Sequence, residues 1–370
     1  MIYYGKQNIN QDDIDSVIEV LKSDFLTQGP KVPEFEEDLK KYCQAKYSKV
    51  VSNATSALHL AYLAVGLQKG DIVWTSPNTF VSTANAALYC GATVDFVDID
   101  PNTYNISIDC LKEKLVQAKK DNKLPKLVVP VHFAGQSCNM EAIWELSKEY
   151  KFKVVEDASH ALGGKYKGKK IGNCKYSDMS VFSFHPVKMI TTGEGGAVTT
   201  NSKSLDEKVS LLRTHGITKE PSQFYSKPDG DWYYEQQSLG YNYRLTEIQA
   251  ALGISQLKRL DSFVSKRKEI AEFYLQNLDQ KITPIQLSDT NSSWHLFVIQ
   301  VSNRQKVYQQ LKDSGVQSQI HYIPVNSQPF YNHKTLPNCE NFYEHCLSLP
   351  IYYDLTKEQC EQVVSCINHD

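Results

Sequence analysis

The chain has 370 residues, enough for about two domains, and 41% of them are hydrophobic, so a sizeable core is expected. Its formal net charge of −2 gives no electrostatic reason to expect a nucleic acid or an anionic membrane surface as the main partner. The start of the chain lacks the pattern of a signal peptide, and no apolar run approaches the ~18 residues of a membrane span. Nine scattered cysteines match no common zinc or redox spacing, so we expect reduced thiols in a cytoplasmic protein.

The first half of the chain alternates helical patterns with short apolar runs. Helices are predicted over 11–23, 32–43, 55–64, 81–89 and 140–150, and strands over 49–52, 72–75, 93–97, 127–132, 154–155 and 179–184. Continuous apolar runs such as those at 127–132 and 154–155 are typical of strands buried on both faces of a parallel sheet. This rhythm predicts an α/β fold with a doubly wound, mostly parallel sheet.

The second half predicts a smaller α/β unit. After a glycine-rich turn and a strand over 197–200 come a long amphipathic helix over 245–278, strands over 294–301 and 316–324, and helices over 304–313 and 356–367. We therefore predict a large domain over 24–245 and a small C-terminal domain over 246–370, with residues 1–23 packed nearby. Segment 220–231, rich in Pro, Ser, Lys and Gly, is predicted to be a mobile surface loop.

Ligands of open α/β sheets bind at the carboxyl ends of the strands, so the polar residues there are candidate site residues. The turn Ser52–Ser56 joins a strand to a helix N-terminus, where small residues would let backbone N–H groups approach an anion. Taken alone, the same turn is also explained by a simple helix cap made by Asn53 or Thr55.

Asp157 follows another buried strand. A buried carboxylate needs a partner, because leaving it without one is costly. That partner could be a structural Arg or Lys, or the cationic ring nitrogen of a cofactor, and the residues alone leave both open.

Lys188 lies beyond an apolar strand that Pro186 stops, just before the small polar run Thr191–Gly196. Most lysines are solvated surface charges, but this position favours a more specific role. An ammonium group, with a reference pKa of about 10.4, must lose its proton to act as a nucleophile. No cluster has metal-ligand spacing, so no metal site is predicted.

Several motifs, read together and in order, resemble the DegT-type sugar aminotransferases, which are pyridoxal-phosphate (PLP) enzymes of fold type I. These motifs are LTQGP, VSNATSALHLA, VVEDASHALGG, FSFHPVKMITTGEGGAV and LGYNYRLTEIQAALG, and the resemblance runs from Tyr4 to about Tyr322. It implies that Lys188 holds PLP as a Schiff base and that Asp157 pairs with the pyridine nitrogen, so that the ring acts as an electron sink. His160 would lie next to the ring, with a role that the resemblance leaves open.

The resemblance also implies how the rest of the cofactor is held. Ala54, Thr55 and Ser183 would bind the phosphate, with Asn242 supplied by the second subunit of a homodimer with shared active sites. Phe80 matches the aromatic residue that stacks on the ring, although it could instead be a core phenylalanine.

The substrate side rests on further matches to segments that contact the nucleotide sugar in relatives. These segments contain Tyr4, Asp24, Phe25, Leu26, Thr27, His321 and Tyr322; His321 could instead be a core or rim histidine. The Trp232–Gln236 segment and the His321–Tyr322 pair most resemble enzymes acting on UDP-2-acetamido-2,6-dideoxy-β-L-arabino-hex-4-ulose. The resemblance implies L-glutamate as amino donor and UDP-4-amino-4,6-dideoxy-N-acetyl-β-L-altrosamine, on the route to pseudaminic acid, as product.

Three other functions are compatible with parts of this pattern. One is an aminotransferase for another nucleotide-linked 4-keto or 3-keto sugar. Another is a PLP-dependent sugar dehydratase, which is disfavoured because such enzymes carry histidine where this chain has Lys188, even though His185 is near. The last is a catalytically silent scaffold, which nothing in the sequence supports, since Asp157, Ser183, Lys188 and Asn242 are all present.

Overall fold

The computed structural model describes residues 1–331 and 335–368. Its centre is a seven-stranded sheet in which only one strand, Gly196–Thr200, runs antiparallel to its neighbours. The strands, numbered along the chain, are β1 Tyr47–Val51, β2 Ile72–Thr75, β3 Thr93–Phe96, β4 Leu127–Val129, β5 Lys153–Asp157, β6 Lys165–Tyr166, β7 Lys169–Lys170, β8 Met179–Ser183, β9 Gly196–Thr200, β10 Ile217–Thr218, β11 Glu235–Gln236, β12 Thr290–Asn291, β13 Phe297–Gln300 and β14 Cys346–Leu349. The order in the large sheet is β1-β9-β8-β5-β4-β2-β3.

Helices cover the large sheet and complete the C-terminal unit. They are α1 Gln11–Leu21, α2 Lys31–Cys43, α3 Ala54–Ala64, α4 Ser82–Tyr89, α5 Ile108–Lys120, α6 Met140–Tyr150, α7 Lys203–Leu212, α8 Glu247–Lys258, α9 Leu260–Asn277, α10 Arg304–Asp313, α11 Pro337–His345 and α12 Lys357–Asn368. The predicted α/β fold with a doubly wound, mostly parallel sheet is confirmed. Within the described residues, no helix is both long and apolar enough to cross a bilayer.

The C-terminal unit has its own core, formed by the second half of α9 together with α10, α12, β13 and β14. Ile2 belongs to this core: its N–H group donates to the carbonyl of Gly315, and its own carbonyl accepts from the N–H of Gln317. The first residues of the chain therefore pack on the last part of it. The domain limits drawn from the sequence stay a prediction.

One predicted element is divided in the structure. The helix expected over 245–278 is two helices, α8 and α9, separated at Arg259. There the N–H of Arg259 donates to the carbonyl of Gln256, three residues earlier. The guanidinium of Arg259 donates to Asn8 and Asp13 of the N-terminal segment. A helical periodicity that continues through such a break does not reveal it.

A second prediction, the strand over 316–324, is wrong. This segment makes only isolated bridges, Val316 with Ile2 and Gln319 with Ser348, before it turns at Pro324. Helices α5, α7 and α11 were not predicted. The segment expected to be a mobile loop, 220–231, is mostly exposed and contains a short 3-10 turn at Pro221–Gln223.

Candidate active site

One cavity of about 600 Å³ lies at the carboxyl ends of the central strands and is closed on the other side by the C-terminal unit. Ten of the residues predicted to form the site line it together: Tyr4, Ala54, Thr55, Phe80, Asp157, His160, Ser183, Lys188, His321 and Tyr322. Residues more than 300 positions apart in the chain, such as Tyr4 and Tyr322, therefore line the same cavity.

Asp157, the last residue of β5, is buried and held by two neutral donors. Its Oδ2 accepts a hydrogen bond from Oγ1 of Thr83 at 2.7 Å, and its Oδ1 accepts from the backbone N–H of Ser159 at 3.1 Å. Within the described residues no cationic side chain forms an ion pair with this carboxylate. A negative charge here suits a cationic ligand group, which would supply the missing counter-charge.

The donor Thr83 is a site residue that the sequence did not reveal. It lies in the first turn of α4, and its hydroxyl also contacts Oγ1 of Thr79 at 2.8 Å. Because the single hydroxyl hydrogen of Thr83 goes to Asp157, Thr79 must be the donor in the second contact. The i, i+4 spacing of two threonines after a strand was the only signal, and it is a common one.

Lys188 follows β8 and is only partly exposed on the cavity wall. The loop that carries it is fixed by a hydrogen bond from its N–H to the carbonyl of His185 at 2.8 Å. Loss of hydration lowers the pKa of the Lys188 ammonium to about 8, although the charge of Asp157 acts in the opposite direction. A larger fraction of this amine than of an ordinary lysine is therefore unprotonated near neutral pH.

The start of α3 combines the two functions that the sequence left open. Asn53 caps the helix, since its Oδ1 accepts from the N–H of Ser56 at 2.8 Å. The first intrahelical bond comes from Ala57, so the N–H groups of Ala54 and Thr55 precede it and remain available at the cavity. Such a helix N-terminus suits an anion.

A glycine of β9 lets the strand lie against this helix start. A Cβ atom on Gly196 would come within 2.6 Å of the Asn53 carbonyl carbon and 2.7 Å of the Ala54 nitrogen. A larger residue would therefore displace the turn. Ser183, at the end of the neighbouring strand β8, adds a hydroxyl group to the same wall.

Three buried histidines and a tyrosine meet where the turn after β5, which carries His160, faces the C-terminal unit. Nε2 of His160 lies 3.0 Å from the hydroxyl of Tyr322, and Nδ1 of His321 lies 2.9 Å from Oγ of Ser348. Burial, and then the charge of Lys188, lowers the pKa of His321 to about 3 and holds that of His160 well below its usual range. The third, His295, was not predicted; its ring centre is 4.3 Å from that of His160.

Phe80 is not a core residue. Its side chain is 58% exposed, lines the cavity, and has its ring centre 6.2 Å from that of Tyr322. An aromatic face left open on a cavity wall favours the stacking interpretation over the core interpretation.

Five predicted site residues do not reach the cavity of this chain. Asp24–Thr27 are exposed, and the carbonyl of Leu26 accepts a hydrogen bond from the N–H of Glu247 at 3.0 Å. Asn242 is also exposed and forms a single bridge with Thr214. Asn242 was expected to act in the site of a neighbouring subunit, and the substrate contacts expected of Asp24–Thr27 stay predictions.

The donor set fits PLP. A helix N-terminus with a nearby serine is suited to its phosphate, a carboxylate without a cationic partner to its ring nitrogen, and an open aromatic face to its ring. The amine of Lys188, with its lowered pKa, is suited to its aldehyde.

Comparison with known proteins agrees with this chemistry. The DegT/DnrJ/EryC1/StrS aminotransferase family matches residues 7–368. The chain is 42% identical to the UDP-4-amino-4,6-dideoxy-N-acetyl-beta-L-altrosamine transaminase of Campylobacter jejuni (98% of this chain, 96% of that protein). It is 39% identical to the spore coat polysaccharide biosynthesis protein SpsC of Bacillus subtilis (98% and 95%).

A solved structure is similar over the whole chain. PseC of Helicobacter pylori, an aminotransferase involved in the biosynthesis of pseudoaminic acid, superposes with a TM-score of 0.90 at 34% identity, covering 100% of this chain and 98% of that one. The chain belongs to the DegT/DnrJ/EryC1/StrS aminotransferase family. It is a fold-type I aminotransferase whose cofactor is PLP.

Proposed function

We propose that the protein transfers the amino group of L-glutamate to C4 of UDP-2-acetamido-2,6-dideoxy-β-L-arabino-hex-4-ulose. The product would be UDP-4-amino-4,6-dideoxy-N-acetyl-β-L-altrosamine, an intermediate towards pseudaminic acid. The observation that carries the catalytic part is the juxtaposition, in one cavity, of Lys188 with its lowered pKa and Asp157 without a cationic partner. The 42% identity to an altrosamine transaminase over nearly the whole chain supports the choice of sugar.

Each wall of the cavity has a part in this proposal. When bound, PLP supplies an electron sink that lets an amino group pass between an amino acid and a keto compound. Asp157, oriented by Thr83 and by the N–H of Ser159, would pair with the ring nitrogen and keep it protonated. Ala54, Thr55 and Ser183 would bind the phosphate, and Phe80 would stack on the ring.

Lys188 carries two functions in turn. Its unprotonated amine would hold the cofactor, and when free the same amine would take and return a proton at Nζ. A pKa of about 8 suits both tasks, because an acid–base group works best when its pKa lies near the working pH.

The sugar would lie on the side formed by Tyr4, His321 and Tyr322, all of which line the cavity. His321 is buried, and the low pKa that follows from burial keeps its imidazole neutral. A neutral wall avoids placing a second positive charge beside Lys188.

We further propose that the active unit is a homodimer. Phe25 and Leu26 are 53% and 49% exposed, and Asn242 is exposed as well, so in one chain these residues face solvent. The apolar face of α1, made by Ile14, Ile18 and Leu21, is exposed near the same segment. A second copy would cover these apolar side chains and bring Asn242 and residues 24–27 to the neighbouring cavity.

The reaction can be tested by absorbance spectroscopy of the PLP-bound protein. L-Glutamate should bleach the visible band, and the UDP-linked 4-keto sugar should restore it, each in a single turnover. The Lys188→Ala protein is the control and should show neither response at a comparable rate. Restoration by a dTDP- or GDP-linked keto sugar but by no UDP sugar would overturn the proposed substrate, and no bleaching by glutamate would overturn the proposed donor.

A further inference from the structure

We infer that Tyr322 donates its hydroxyl hydrogen into the cavity, and that His160 and His295 are positioning residues that hold it in this state. This assignment rests on the proposed function, and it gives His160 a role that the sequence left open. The contact at its centre is the 3.0 Å hydrogen bond between Nε2 of His160 and the hydroxyl oxygen of Tyr322.

The direction of this hydrogen bond depends on the tautomer of His160. A neutral imidazole carries one proton, and either Nε2 or Nδ1 can hold it. If Tyr322 were the donor, the proton of His160 would be on Nδ1; if Nε2 is the donor, Nδ1 is a bare acceptor. The two alternatives leave the hydrogen of Tyr322 in different places.

The surroundings of the second ring nitrogen favour one of these alternatives. Nδ1 of His160 is buried and has no hydrogen-bond partner among the described residues. A buried N–H group without an acceptor is rarer in proteins than an acceptor without a donor. The favoured tautomer therefore has its proton on Nε2, which donates to the oxygen of Tyr322. Burial, together with the charge of Lys188, lowers the pKa of His160 and excludes the doubly protonated ring near neutral pH.

Tyr322 then has its own hydrogen free for another acceptor. Its side chain lines the cavity with Lys188, Asp157 and Phe80. Burial, and then the charge of Asp157, raises the pKa of the Tyr322 hydroxyl, so the group keeps its hydrogen. A hydroxyl that accepts one hydrogen bond is also a better donor of the next. The ligands of this cavity offer acceptor oxygens of two sources, the cofactor and the keto group of the sugar.

His295 lies behind His160 and is the imidazole that can hold its second nitrogen in place. Its Nδ1 is also buried without a partner among the described residues, and its ring centre lies 4.3 Å from that of His160. After a small ring movement, a proton on Nδ1 of His295 would point to the bare Nδ1 of His160 and satisfy both atoms, so the tautomer of His160 depends on that of His295. The backbone of His295 is anchored, because its carbonyl accepts a hydrogen bond from the buried Arg267 at 3.1 Å.

Amide side chains can separate the two nitrogens of His160. A glutamine amide extends to about the position of Nε2, whereas an asparagine amide reaches only that of Nδ1. We expect His160→Gln to keep kcat within about threefold, and His160→Asn and Tyr322→Phe each to lower it about 100-fold with KM little changed, the size expected for one lost positioned donor. A purely structural role predicts similar losses for both amides, and that result would overturn the assignment.

The pair should also behave as one unit. If His160 acts through Tyr322, the double variant His160→Asn/Tyr322→Phe should be no slower than Tyr322→Phe alone. Multiplying losses would overturn the coupling. Thermal unfolding of each variant, followed by circular dichroism, separates a loss of fold from a loss of positioning.

The tautomer can be measured without activity. In the apoprotein labelled with ¹⁵N in its histidine rings, NMR should show the proton of His160 on Nε2, with the signal identified by its absence in His160→Gln. A proton on Nδ1 would overturn the assignment. His295→Asn, which keeps an amide near the Nδ1 position, should preserve this tautomer, whereas His295→Phe should allow the second tautomer to appear.

The two half-reactions distinguish the acceptor and separate this assignment from the proposed function. A loss in Tyr322→Phe confined to the sugar half-reaction identifies the keto oxygen as acceptor, and a loss in both identifies an oxygen of the cofactor. Wild-type rates in both half-reactions would overturn the assignment and leave the function standing. If L-glutamate does not bleach the visible band of the wild-type protein, the proposed function is wrong. The NMR experiment still tests the tautomer of His160.

Discussion

The two walls of the cavity are built in different ways. The wall that carries Asp157, Ser183 and Lys188 follows directly from β5 and β8, neighbouring strands whose register places their ends at one edge of the sheet. The opposite wall, with Tyr4, His321 and Tyr322, comes from segments outside the large sheet. Both sets of residues come from one chain; by our proposal a second subunit adds Asn242 on the phosphate side and residues 24–27 on the sugar side. By our proposal the sheet therefore positions the cofactor, and the segments packed around it position the sugar.

Lys188→Ala should have the largest effect, because it removes the amine from the first wall. We expect kcat to fall by at least about 10⁴-fold, and borohydride treatment to leave no PLP attached to the protein, as measured by mass spectrometry. Lys203→Ala, a variant of an exposed lysine in α7, is the matched control. It should keep the wild-type kcat and the covalently attached PLP. Retention of covalent PLP by Lys188→Ala would show that another residue holds the cofactor.

Asp157→Asn should have the next largest effect, since an amide keeps the shape but lacks the charge. The expected loss is about 10²–10³-fold in kcat, similar to that for other electrostatic groups aimed at a reacting centre. Stopped-flow rates of the glutamate half-reaction would measure it. An almost unchanged rate would contradict a role for the charge of Asp157 in the reaction.

Asp157→Asn should also change the pH dependence of covalent PLP uptake. The rate at which the apoprotein takes up PLP covalently should rise with pH around a midpoint near 8, because only the unprotonated Lys188 amine reacts. The charge of Asp157 raises the pKa of Lys188, so Asp157→Asn should move this midpoint to lower pH. A midpoint near the ordinary lysine value of about 10.4 would contradict the buried environment of the amine.

The contribution of a second subunit to the phosphate site can be tested with hybrid dimers. Asn242→Ala should weaken PLP retention about tenfold if Asn242 reaches the neighbouring phosphate site, the usual scale of one lost charge-assisted hydrogen bond. At a PLP concentration too low to load Asn242→Ala, random mixing of equal amounts of Asn242→Ala and Lys188→Ala subunits should restore about a quarter of wild-type activity, because half the dimers then contain one intact site. If mixing adds nothing to the sum of the separate activities, the sites are not shared.

The smallest effect should come from Thr83→Val, which removes a donor to Asp157 and keeps the side-chain shape. We expect PLP affinity to fall about three- to tenfold, since a net hydrogen bond of about 1 kcal/mol is lost, and Thr83→Ser to restore it. Fluorescence titration of the apoproteins with PLP would measure both. Equal affinities for Thr83→Val and wild type would mean that Ser159 alone holds the carboxylate.

Most helices and strands of the large domain were predictable because the periodicity of each segment indicates its secondary structure. Helix α6 and strand β2 have the predicted bounds, and the strands next to them differ by a few residues at their ends. The break at Arg259 was not predictable, since it accompanies bonds to Asn8 and Asp13, more than 240 residues earlier in the chain. Nor was the loss of the strand expected over 316–324, where only single bridges form.

The sequence by itself determined the strand ends that carry Asp157 and Lys188, and through its motifs it determined the family and the cofactor. Local periodicity and the rule that parallel strands end at one edge suffice for that placement. Only the tertiary structure decided that Thr83 holds Asp157, that His295 lies behind His160, and that Ile2 joins the C-terminal core. These contacts join segments far apart in the chain, and they depend on how the elements pack together, which no single segment encodes.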